Sequence, residues 1–217
     1  MEKADDTTQG NTSLAVPVTC TLNPLLPGAT YTVTATTRGG GIGGTLTATC
    51  LFASVTVNTY LFVTSIGGNY YTGSSQSLLA VYDPSLGFVT GSGTITRNGN
   101  LAEFGFNAKY SSNGTLLANV LYVEHQPTGD VVVQSVATQS LSIIENLAAI
   151  VTKGVVNGTG DYTLITTVTD NGEPGINLDL FGLEVRDSSG AIVSGLTFPK
   201  TRIIRGNIQV HSSKRNN

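Results

Sequence analysis

Hydrophobic and polar residues alternate with a period of two over long stretches of this chain. In residues 101–110, Phe104, Phe106, Ala108 and Tyr110 fall on one face, while Glu103, Gly105, Asn107 and Lys109 fall on the other. That is the pattern of a strand with one dry and one wet side. The preceding run, 89–96, sets Gly91 and Gly93 against Ser92 and Thr94, so the aromatic rings of the next strand are expected to lie over bare backbone. In 162–169, Tyr162, Leu164, Thr166 and Val168 oppose Thr163, Ile165, Thr167 and Thr169. Runs 115–124 and 131–138 are apolar on both faces, as the central strands of a two-layer structure are. Further strands are predicted at 14–22, 30–37, 45–56, 60–64, 77–82, 141–144, 148–156, 178–186, 191–198 and 207–210. A helical pattern is confined to one or two turns at 145–151.

Four Asn-Gly dipeptides, Asn98-Gly99, Asn113-Gly114, Asn157-Gly158 and Asn171-Gly172, separate these runs. Asn and Gly tolerate the positive φ that a type I′ turn requires at both central positions, so each dipeptide predicts a hairpin. The fold class is therefore all-β: an antiparallel sandwich, jelly-roll-like or a meander, with little or no helix.

Composition sharpens that reading. The 217 residues include 31 Thr and 21 Val, β-branched residues that fit a pleated surface. Charged residues make up 12%, where about a quarter is usual. Thr, Ser, Asn and Gly must then face water where Lys and Glu normally would, as is common on secreted and cell-surface β proteins. The net charge of -3 supplies no field for a phosphate backbone, and nucleic acid is not an expected partner. No run reaches the roughly 18 apolar residues of a membrane-spanning helix.

The first third has a different texture. Its strands are broken by Gly-rich stretches, chiefly GGGIGG after Arg38, which lacks the Lys-Ser/Thr of a phosphate loop and reads as a turn. Cys20 and Cys50 are the only cysteines, and both lie in strand-like runs, so they are expected to form one disulfide that ties the first strands together. The expected organisation is a polar leader at 1–13, an N-terminal β layer at 14–86, a C-terminal β module at 87–211 and a tail at 212–217, with 14–211 able to share one core. The leader lacks the apolar centre of a signal peptide, so the expected form is a mature extracellular or cell-surface protein.

A series of short motifs occurs in order through the C-terminal half: GSGTI at 91–95, AEFGFNAKY at 102–110, VNGTGDYTL at 156–164, VTDNGEPG at 168–175, DLFGLEV at 179–185 and GNIQVH at 206–211. The series resembles the post-COAP domain, a β module of secreted bacterial and archaeal proteins. The resemblance implies an extracellular module of large surface proteins, brings no catalytic residues with it, and leaves 1–86 unaccounted for.

Candidate chemistry is sparse. Asp170, Asn171 and Glu173, with Asp179 after the turn, group oxygen donors on a glycine-containing loop and form a candidate Ca²⁺ site, although the same residues also cap turns. No other cofactor is expected. His125 and His211 are the only histidines and have no evident orienting partner, and Glu103 with Glu124 is the remaining acid–base pair to consider. No enzymatic activity is expected. Tyr70 and Tyr71, in the loop SIGGNYYTGSS, are candidate glycan contacts.

These readings converge on an extracellular structural protein, a surface or filament subunit that associates into homo-oligomers or polymers by strand addition. The candidate donor is the segment 13–22, with Ser13, Leu14, Val16, Val18 and Leu22 presenting alternate side chains, and with Pro17 suited to an edge. The alternative is a carbohydrate-binding adhesin module.

Overall fold

The computed structural model describes residues 15–39, 45–67, 71–81, 87–111 and 113–211. These residues fold into thirteen strands in two antiparallel sheets, with no helix among them. Two compact units result: the described residues of 1–56 and 60–79 form one, and those of 57–59 and 80–217 the other. The leader and the tail lie outside the described residues.

The first unit is built on β1 (Pro17–Pro24), β2 (Tyr31–Thr36), β3 (Asn58–Ile66) and β4 (Gly73–Val81), in the spatial order β2-β1-β3-β4. Strand β1 alternates cleanly, with Val18, Cys20 and Leu22 buried between partly covered threonines. Cys20 and Cys50 form the expected disulfide, with their Cα atoms 6.4 Å apart. Closing a loop of 30 residues restrains the unfolded chain by roughly 3 to 4 kcal/mol. The run 45–56 is not a strand; its one ladder contact is an antiparallel bridge between Arg38 and Thr47. The disulfide holds Cys50 against the buried Cys20 of β1, and the segment leaves the sheet edge after Thr47.

The second unit is a meander of β5 (Phe88–Arg97), β6 (Asn100–Tyr110), β7 (Leu116–Glu124), β8 (Val131–Ile144), β9 (Leu147–Val156), β10 (Thr159–Thr169), β11 (Leu180–Arg186) and β12 (Phe198–Arg202). The last strand, β13 (Arg205–His211), returns to pair with β5, so β12 and β13 lie at opposite edges of a nine-stranded sheet. Only Ile203 and Ile204 separate these two strands, a connection that spans at most about 11 Å. The sheet must therefore curl until its edges meet, which gives the sandwich-like form expected from sequence. At the seam Ile203 donates to the Asp179 carbonyl at 3.1 Å and Ile204 to that of Thr94 at 2.8 Å.

Aromatic rings fill the enclosed core. Phe104 and Phe181 stack with centroids 4.0 Å apart, and Phe106, Tyr122 and Phe198 surround them. Gly91 and Gly93 do lie beneath rings: a Cβ on Gly91 would stand 2.7 Å from the Phe106 ring, and one on Gly93 would meet the Arg205 carbonyl and the Phe104 ring. Asn98-Gly99 and Asn157-Gly158 adopt positive φ at both positions, as a type I′ turn needs. The other two Asn-Gly pairs belong to longer loops, and within each pair only the glycine has positive φ. Residues 131–138 and 141–144 form one strand, β8, bent by two register shifts. The expected helical turns at 145–151 are instead a tight turn at Glu145 followed by β9. In 191–198 a single bridge pairs Ile192 with Arg186, and the chain then turns at Val193 before β12 begins.

Candidate functional site

Edge strands decide what an antiparallel sheet can join, because their outer N–H and C=O groups have no neighbour. In β2 the direction of these groups follows from the ends. Thr37 donates to the Val16 carbonyl at 2.9 Å and so faces β1, whereas Arg38 exchanges hydrogen bonds of 2.8 and 3.0 Å with Thr47 and so faces away. Backbone polar groups alternate sides along an antiparallel strand, so Thr32, Thr34 and Thr36 point theirs away from β1. No described residue pairs with that side of β2 short of Arg38. Alongside it runs an open trough of about 740 Å³, lined by Val33, Thr34, Ala35 and Thr36 of β2 and by Thr49, Cys50 and Leu51 opposite, with Arg38 and Thr47 at the end where they bridge. The Leu51 side chain is 81% exposed.

The other edge of this sheet is β4, whose residues Gly73 to Ser77 are all exposed. Neither edge strand carries a charge. From Thr7 to Tyr82 the chain contains a single charged residue, Arg38. That run was the sequence signal for this site, and it is hidden when charge is averaged over the whole chain.

The edges of the nine-stranded sheet are treated differently. Strand β12 carries Pro199, which has no N–H, between Phe198 and Lys200, and ends at Arg202. Strand β13 is closed by the loop between β10 and β11. Ile208 donates its N–H to Asp179 Oδ2 at 2.9 Å, and two residues on, Val210 donates to Asp170 Oδ2 at 3.0 Å. The remaining oxygens accept within the loop, Asp179 Oδ1 from the Asn171 N–H at 2.8 Å and Asp170 Oδ1 from that of Gly172 at 3.3 Å. Asn207 reaches back in both senses: its Oδ1 accepts the Gly175 N–H at 2.7 Å, and its Nδ2 donates to Glu173 Oε1 at 3.0 Å. Gln209 Nε2 donates to the same Glu173 oxygen at 3.0 Å. Together the Asn207 and Gln209 amides hold the Glu173 carboxyl below its ordinary range. Asp179 is fully buried, and Gly175 leaves the room its carboxylate fills.

The four candidate calcium ligands thus meet in one loop, where Asp170, Glu173 and Asp179 turn their oxygens toward β13 and the loop backbone. Among the described residues no three His, Cys, Asp or Glu side chains gather as a metal-binding group. Asn171 spends its amide on the Leu178 carbonyl at 2.7 Å.

Comparison with protein-family models, with curated proteins and with solved structures finds no match to this chain.

The other predicted positions fall as follows. Val16, Val18 and Leu22 are buried, and β1 is paired on both sides, by β2 and by β3. The donor segment is therefore an interior strand of its own sheet and has no free edge to offer, a correction to the sequence expectation; Ser13 and Leu14 lie outside the described residues. Tyr71 is 7% exposed and presents no open ring for a sugar, while Tyr70 also lies outside the described residues. Glu124 pairs with the buried Ala102 in register and faces the core, and Glu103 on the next position faces water, so the two carboxylates sit on opposite sides of the sheet. Burial pushes the Glu124 carboxyl up, but hydrogen bonds from Arg97, Asn100 and Tyr122 outweigh it and hold the group below its ordinary value. His125 does have partners that sequence did not reveal: Nδ1 lies 3.0 Å from Asp130 Oδ1 and Nε2 3.8 Å from Glu103 Oε2. Asp130 foremost raises its pKa, on a turn open to solvent.

Proposed function

We propose that this protein is an extracellular structural subunit that associates with copies of itself, and that β2 is an edge through which it does so. The observation that carries the reading is the row of outward N–H and C=O groups at Thr32, Thr34 and Thr36, set beside an open trough in a sheet whose two edge strands carry no charged residue. Strand addition satisfies those groups, and alternate side chains of the added strand enter the trough. The ordered motifs of 91–211, the disulfide and the sparse surface charge support an extracellular setting.

Sedimentation velocity over a range of protein concentrations tests this. The wild-type chain grows into larger species as concentration rises, while Thr34→Lys, which places a charge on the exposed edge, stays monomeric with an unchanged melting temperature. Wild-type protein that remains monomeric at every concentration, or a variant that assembles equally well, contradicts the reading.

A further inference from the structure

Resting on that reading, we propose that the partner of β2 is β4 of a second copy, so that successive copies join head to tail. Strand order places β2 and β4 at opposite margins of the same sheet. Direction permits the contact. Strand β1 is antiparallel to both β2 and β3, so β2 and β3 run the same way. Between Ile66 and Gly73 the chain has six residues, too few for the crossover that parallel neighbours require, so β4 runs opposite to β3 and to β2. A copy displaced along the sheet without rotation brings its β4 beside β2 in the antiparallel sense that β1 has to both of its neighbours.

Side chains favour this pairing over a twofold β2–β2 contact. The trough beside β2 is walled by Val33, Ala35 and Leu51, with Arg38 at one end, and no described residue fills it; two such troughs facing one another would bring two Arg38 side chains together and supply no apolar side chain to either. Strand β4 brings Leu79, 42% exposed, as an apolar side chain to enter it. Neither strand has a Lys, Glu, Asp or Arg to oppose the approach, and the Thr hydroxyls of one edge meet the Ser and Gln side chains of the other. Because the two contact surfaces differ, the association does not close on itself at two copies; repeated by translation, it grows into an open filament.

Two edge variants in one mixing experiment decide the matter. Thr34→Lys blocks β2 and leaves β4, while Gln76→Lys, at an exposed position, blocks β4 and leaves β2. Folding of each is checked by its melting temperature and near-ultraviolet circular dichroism. Each variant alone is expected to sediment as a monomer, and the equimolar mixture as a species of twice the 22.5 kDa chain mass that grows no further. If wild-type protein grows and Gln76→Lys grows equally, head-to-tail pairing is wrong while association through β2 stands. If Gln76→Lys alone forms dimers that Thr34→Lys does not extend, the contact is the twofold β2–β2 pair and the proposal is overturned. Wild-type protein that never grows overturns the functional reading and this inference together.

Discussion

The two sheets of this protein face the same physical problem and meet it in opposite ways. Both end in strands whose outer backbone groups would pair with any extended chain that approached. The nine-stranded sheet curls until its edges approach one another, sets Pro199, Lys200 and Arg202 on one of them, and lays the Asp170 and Asp179 carboxylates over the N–H groups of the other. The four-stranded sheet, with one charged residue in the 76 positions from 7 to 82, has no described residue paired to the outer side of β2 short of Arg38. Charge is therefore nearly absent from the strands of the four-stranded sheet, and charged side chains stand at both edges of the nine-stranded one. Of 25 charged residues, 17 lie between 87 and 211.

Removing the guard from the closed sheet is the severest test of the contrast. Asp179→Ala leaves the Ile208 and Asn171 N–H groups without their acceptor. At about 1–3 kcal/mol for each donor left unpaired, one buried at Ile208 and one part-buried at Asn171, the expected loss is about 4 kcal/mol, read from urea unfolding. The same variant exposes part of β13, so light scattering below the unfolding transition should show association that persists when Thr34→Lys is added. Next in size is the staple of the open sheet. Cys20→Ser with Cys50→Ser is expected to lower stability by roughly 3 to 4 kcal/mol, and reductant should lower the wild-type midpoint to match. Gly175→Ala, whose Cβ would collide with the Asp179 carboxylate, should cost about 1–3 kcal/mol and loosen the same edge, seen as faster amide exchange at Ile208 and Val210.

The smallest effect concerns pH. Hydrogen bonds from Asn207 and Gln209 depress the Glu173 pKa in the folded state. A depressed carboxyl contributes stability above its unfolded pKa of about 4.3, and that contribution is lost as pH falls toward the lower folded value. Melting temperatures of Glu173→Gln and wild type, compared from pH 7 down to pH 3, should therefore converge or cross in favour of the variant as acid is added. A gap that is constant with pH would mean the carboxylate is not clasped to β13.

The meander was readable because each strand there carries its own instruction. Phe104 and Phe106 alternate with Glu103 and Gly105, and the glycines opposite them leave space for the rings. What was not readable depends on residues far apart in sequence. Asp170 and Asp179 look like turn caps or cation ligands in isolation; their role emerges only when β13, some 30 residues later, is brought alongside by the curl of the sheet. The run 45–56 has the composition of a strand, but Cys50 is bound to Cys20, and that long-range bond overrides the local preference. Likewise the alternation of Val16, Val18 and Leu22 marks a strand and gives no sign of whether it lies at an edge or between two neighbours.

Amide hydrogen exchange, followed residue by residue as protein concentration rises, tests the contrast between the sheets most directly. At low concentration Thr32, Thr34 and Thr36 should exchange quickly while Ile208 and Val210 are protected by their carboxylates. As the chains assemble, protection should appear at those three threonines and leave Ile208 and Val210 unchanged. Assembly with the threonine amides still exchanging quickly, or with protection changing at β13 instead, would contradict β2 as the joining edge.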